Sequence, residues 1–230
     1  MLMNRTTGVL KMHWRDKTVW IYVPWVVLLI SFAINVIIGI LTKGQENINS
    51  GGIASIYAYM FIAILIVQAQ TFPFSLGMNI RRTDYFIGTS LMCLLVSAGS
   101  SAILFLLSVV EDMSDGWGVN LGYFYLPFMS HLSPIARFGI FFVVMLHMFF
   151  LGFVISSIHR RFGRNGLYVF FTVLLLLSSI GSFAMTYYER WMDLFIWISH
   201  HYLDLFVWMI PLIIVYALLS YGLIRRSTVS

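Results

Sequence analysis

Six long apolar runs dominate this sequence, at 19–41, 53–71, 85–110, 135–158, 167–186 and 205–224. Each approaches or exceeds the roughly 20 residues that carry a helix across the hydrocarbon core of a bilayer. None has Asp, Glu or Lys in its central part. In hydrocarbon every backbone polar group must be satisfied within the segment or by a closed neighbour, so such runs fold as helices or barrel strands. They lack the period-2 alternation of a barrel strand. The expected fold class is all-α, a polytopic membrane protein with six transmembrane helices. Composition leaves no room for a water-facing surface. Only 10% of residues are charged and 60% are hydrophobic, against about 25% charged in a soluble domain. The same numbers exclude disorder.

The first run follows a basic stretch, as a signal peptide does. It is longer than a signal core of about 7–15 residues, and no small-x-small cleavage site follows it, so it reads as a retained span. The single cysteine, Cys93, lies in an apolar run. It cannot pair within the chain, and no cationic neighbour in sequence activates its thiol.

Lys and Arg set the orientation. Eleven of the fourteen fall on one side: Arg5, Lys11, Arg15 and Lys17 before the first run, Arg81 and Arg82 in the second connection, Arg160, Arg161 and Arg164 in the fourth, and Arg225 and Arg226 at the end. The other side has Lys43, Arg137 and Arg190, with seven of the nine acids: Glu46, Glu111, Asp112, Asp115, Glu189, Asp193 and Asp204. The basic side is therefore expected to be cytoplasmic, with both termini on it. The net charge of +5 reflects this topology rather than nucleic-acid binding. Trp20 and Trp25 near inner ends, and Trp117, Trp191, Trp197 and Trp208 near outer ends, read as interfacial anchors. The expected organisation is an interfacial segment at 1–18, a six-helix membrane domain at 19–224 and a tail at 225–230.

Three cytoplasmic segments stand out. In 7–18, Lys11 and Arg15 share one helical face and Leu10 and Trp14 the next, which predicts a short helix in the interface plane. In 72–85, Pro73 can open a short helix. Phe72, Leu76 and Ile80 then line one side, Arg81 and Arg82 close it at the negative end, and Thr83 or Asp84 can cap the next span. This connection is longer than the usual helix–helix turn of about 2–8 residues. It reads either as a lateral helix that docks a partner or as a structured loop that merely snorkels two arginines. The basic segment 159–166 has glycines for a tight turn, and anionic lipid headgroups are its default ligand.

The chemistry of most energy-converting proteins is missing from the sequence. There is no P-loop and no His-Glu-x-x-His, and no Cys/His cluster has zinc spacing. Adjacent His200 and His201 make a poor chelating pair. Ser97, Ser100, Ser101, Ser178, Ser179 and Ser182 read as packing residues, and no Gly-x-Ser-x-Gly elbow is present. The nine acids map to loops or ends, so no carboxylate relay crosses the membrane. Asn35, Gln68, Gln70, His147 and Arg137 are the polar groups within or near the runs. No inverted repeat is evident between the halves. The chain is expected not to be an enzyme.

The topology and the local sequence Phe72-Pro73-Phe74, Gly77, Arg81-Arg82, Asp84-Tyr85 and Gly88-Thr89 resemble a bacterial ABC transporter permease of the ABC-2 type. The resemblance covers most of the chain as topology. It implies a transmembrane subunit in the bacterial plasma membrane, with an N-terminal interfacial helix. It also implies a short re-entrant segment before the last span, here 187–204 with Phe195, Ile196, Trp197 and Ile198 at its centre. A coupling helix between spans two and three would fit a groove in a separate ATPase subunit. By position that role falls to Leu76, Gly77, Ile80, Arg81 and Arg82, flanked by Asp84 and Tyr85, with Phe72 and Phe74 packing beneath. ATP and Mg would bind the partner ATPase, with no cofactor on this chain. A second permease subunit, the same chain or another, would complete the path for export of a lipophilic or peptide-like compound. The outer connection 111–134 is longer than in the most compact members and is expected to act as an outer cover. The alternative is a non-transporting polytopic membrane protein, a sensor or an assembly factor.

Overall fold

The computed structural model describes residues 2–43 and 48–227. Glu46 and the last three residues of the expected tail lie outside them. Seven α-helices follow in order: α1 Leu2–Arg15, α2 Val23–Leu41, α3 Ala54–Gly77, α4 Arg82–Met113, α5 Pro134–Tyr187, α6 Trp191–His200 and α7 Tyr202–Arg225. Among the described residues, five helical segments are long and apolar enough to cross a membrane: Thr18–Leu41, Gly51–Gly77, Arg82–Met113, Pro134–Tyr187 and Tyr202–Arg225. The chain is an all-α, membrane-embedded protein. The fourth and fifth apolar runs belong to one 54-residue helix, α5, interrupted at Gly163, where φ is 67° and ψ is −161°. Only glycine adopts that backbone readily, so the break falls inside the basic segment 159–166.

Local chemistry explains the helix boundaries. Ser133 caps α5 by accepting the Ala136 N–H at 3.3 Å, and Pro134 fills the first position, where no N–H is needed. A π-helical turn at Thr18–Tyr22 leads into α2, because Pro24 cannot donate. The Val23 N–H reaches back to the Thr18 carbonyl, and the Val19 carbonyl accepts the Tyr59 hydroxyl of α3 at 3.1 Å. The freed carbonyl thus becomes an interhelical bond.

The core lies among α3, α4 and the first arm of α5, around Ile56, Met60, Ile64, Met92, Phe149 and Phe153, with Trp20 against Phe149. The second arm of α5 is exposed almost throughout, as are Leu212, Ile214, Leu218 and Leu219 on α7. So much bare aliphatic surface has lipid as its natural solvent. A two-residue parallel bridge, Ile48–Asn49 with Leu121–Gly122, ties the α2–α3 connection to the α4–α5 connection.

Candidate partner-docking turn and outer cap

At the basic end of α3 the structure departs from the sequence reading. Residues 72–77 do not form a separate lateral helix opened by Pro73. They continue α3, with Pro73 inside it. A proline there removes the hydrogen bond to the carbonyl four residues back and normally breaks the helix. Here that carbonyl, Ala69, accepts from the Arg160 guanidinium, which also reaches the Gln68 carbonyl at 3.3 Å. The same guanidinium lies 5.8 Å from the Phe72 ring centroid. Arg160, expected among lipid headgroups, bonds α3 at the turn that Pro73 interrupts.

Helix α3 then ends in a paired-bond turn. Asn79 takes φ 57°, its N–H bonds Leu76 O at 3.0 Å, and the Ile80 N–H bonds Ser75 O at 3.1 Å. This is the Schellman arrangement, with Asn in place of the usual Gly. Arg81 is extended and α4 begins at Arg82. The connection is a short turn, and the apolar residues expected on a lateral helix are divided between two surroundings. Phe72 is buried and meets Tyr85 edge-on at 5.1 Å, while Leu76 and Ile80 are half-buried against the core. Phe74 does not pack beneath; it is 59% exposed, beside Gly77, Met78 and Arg81, which are also exposed. Arg82 donates to the Arg225 carbonyl at the end of α7, 3.2 Å away. Asp84 is buried in the first turn of α4, with one carboxylate oxygen lacking a hydrogen-bond partner. The Tyr85 hydroxyl pairs with Thr71 at 2.8 Å.

The N-terminal helix fixes the other side of this root. The buried face of α1 is Val9 and His13, whereas Trp14 is 52% exposed, so the Leu10–Trp14 stripe is not its main packing face. Val9 fits where Gly88 lacks a side chain: a Cβ there would stand 2.7 Å from the Val9 Cβ. His13 pairs with the Thr89 hydroxyl at 3.0 Å and abuts Trp20 edge-on at 5.5 Å. Burial lowers its pKa from 6.5 to about 4, with Asp16 opposing the shift. The ring is therefore neutral near pH 7. Gly88 and Thr89 serve to seat α1 on α4.

The opposite end carries a second construction. Glu111, read as a loop acid, is buried in the last turn of α4. Its carboxylate accepts the N–H groups of Tyr123 at 2.8 Å, Phe124 at 3.0 Å and Tyr125 at 2.7 Å, and the Trp117 indole N–H at 2.7 Å. The intervening chain is left-handed at Asp115, Gly116, Trp117, Gly118 and Asn120. Such backbone at bulky Trp117 persists only when its surroundings enforce it. Phe32 of α2 provides part of them, standing 5.1 Å from Trp117 and 5.3 Å from both Tyr123 and Phe124. The Tyr202 hydroxyl bonds the Phe128 carbonyl at 3.2 Å, tying the cap to α7. Arg137 lies 3.7 Å from Asp112 and over the Tyr125 ring.

His147 packs edge-on against Tyr216 of α7, and His201 stacks on Trp197. Among the described residues, no group of three or more His, Cys, Asp or Glu is placed to hold a metal ion. The structure thus has a braced turn at one end and a pinned cap at the other. Sequence reasoning missed Arg160 and Glu111. Their local signals are slight, a proline just past an apolar run for one and an Asp-Gly-Trp-Gly sequence shortly after the acid for the other. Comparison with protein-family models, curated proteins and solved structures gives no match.

Proposed function

We propose that this chain is the membrane-spanning permease subunit of an ATP-binding cassette exporter, energised by a separate ATPase chain. The observation that supports it most is the α3–α4 turn. Its outer surface presents Phe74, Met78 and Arg81, while its root is held by Arg160, the Phe72–Tyr85 contact and the Arg82–Arg225 bond. A rigid projection with an apolar and cationic tip transmits force into the helices to which it is joined. In this reading the break at Gly163 separates two spans, since each arm of α5 exceeds about 20 residues. Six spans then place both termini and the α3–α4 turn on the arginine-rich, cytoplasmic side of a bacterial plasma membrane.

The short α6 lies at the outer leaflet before the last span. Two permease subunits enclose the path, two ATPase subunits hold ATP and Mg, and the cargo is lipophilic or peptide-like. Cysteine substituted at Met78 tests this arrangement. It should resist a membrane-impermeant maleimide in intact cells and should crosslink to a P-loop ATPase encoded beside this chain. Labelling from outside would overturn the topology, and absence of the crosslink would overturn the partnership.

A further inference from the structure

A cleft of about 320 Å³ opens where the end of α7 faces the break in α5. Three arginines line it, Arg161, Arg225 and Arg226, together with Leu219, Tyr221 and Gly222 among its apolar residues. No acid is among its lining residues. Among the described residues the ion pairs are Arg137–Asp112 and Arg190–Asp193, so none of these three arginines has a carboxylate partner. Arg82 adds a fourth cation beside the cleft through its bond to the Arg225 carbonyl. The apolar floor is open: a Cβ built at Gly222, an exposed position, meets nothing within 4 Å. Leu218 and Leu219 continue the apolar surface outward, 66% and 51% exposed.

We infer that this cleft binds an anionic phospholipid, with its phosphate headgroup among Arg161, Arg225 and Arg226 and an acyl chain along Leu219 and Gly222. The cations demand an anion. The aliphatic floor, on a helix apolar enough to span a membrane, selects an anion that carries a hydrocarbon chain. Basic clefts between spans near the headgroup level hold such lipids in preference to neutral ones. The inference needs α7 to span a membrane and does not depend on the permease reading.

The test uses the full chain purified into phosphatidylcholine nanodiscs doped with phosphatidylglycerol, with retained lipid counted by native mass spectrometry. Wild type should enrich phosphatidylglycerol over phosphatidylcholine. Arg225→Gln with Arg226→Gln should reduce that enrichment about tenfold or more. Gly222→Trp should displace the lipid with every charge intact, while Gly222→Ala, which meets no atom, should keep it. Equal retention of both lipids by wild type overturns the inference, a result that needs no variant to fold. So does an unchanged preference in both the charge variant and Gly222→Trp. Displacement of the lipid by millimolar inorganic phosphate would also overturn it, identifying a soluble-anion site.

Discussion

The guanidinium of Arg160 donates to the carbonyl of Ala69, the oxygen that Pro73 leaves without its helical partner. A side chain three residues before the α5 break at Gly163 thus supports α3 at Pro73, where the helix runs on to Gly77. Removing the guanidinium takes the partner from a carbonyl on an exposed residue, at a cost of about 0.5–1.5 kcal/mol. Arg160→Ala should lower unfolding stability in micelles by that amount. In a Pro73→Ala background the restored N–H bonds Ala69 itself, so the same change should cost less, with a coupling of about 0.5 kcal/mol or more. Strict additivity would show that Arg160 does not compensate for Pro73.

Glu111 holds the α4–α5 cap through three consecutive backbone N–H groups and one indole. Bonds to a charged acceptor are worth about 1.5–3 kcal/mol each. In Glu111→Ala, hydrogen exchange at Tyr123, Phe124 and Tyr125 should accelerate at least about tenfold, while amides in the middle of α3 keep their rates. Unchanged exchange in the cap would mean that the aromatic contacts alone retain it.

Helix α1 is seated by the absence of a side chain at Gly88. A Cβ there would also stand 3.0 Å from the Thr6 carbonyl. Gly88→Ala forces the two helices apart, an overpacking cost of about 1–3 kcal/mol. Trypsin should then cut faster after Lys11 and Arg15, while the membrane helices stay protected.

His13 makes stability fall with acid. Its pKa drops from 6.5 to about 4 on burial, so between those values the unfolded chain binds a proton that the folded one refuses. The contribution is complete above about pH 6.5 and is lost progressively toward pH 4, by roughly 3 kcal/mol at most. His13→Gln, which can still bond Thr89, should flatten the stability profile across that window. A profile as steep as wild type would place the acid sensitivity elsewhere.

Much of the fold is legible in the sequence, because length and apolarity alone define the membrane helices, and the glycine-containing basic segment marks the α5 break. The continuation of α3 through 72–77 is not legible. Pro73 signals a helix start locally, and only a guanidinium 87 positions further along the chain lets the helix pass through it. The packing face of α1 is hidden for a related reason: His13 reads as polar until its ring is seen bonded to Thr89 and enclosed by Trp20 and Tyr85. Glu111 resembles an ordinary outer acid because its partners are backbone N–H groups, which carry no sequence signature. Of the candidate docking residues, spacing puts Phe72, Leu76 and Ile80 on one stripe. The fold turns that stripe inward and leaves Phe74 and Arg81 facing out.

In the proposed permease this outward surface couples the chain to an ATPase. Phe74→Ser with Arg81→Glu alters two exposed side chains, so stability should change by no more than about 0.5 kcal/mol per site. The direct measurement is ATP hydrolysis by the partner ATPase reconstituted with this chain in liposomes, alongside co-purification of the two. The double variant should remain folded, lose co-purification and lower ATPase activity at least about tenfold. Wild-type association and activity in the double variant would contradict it.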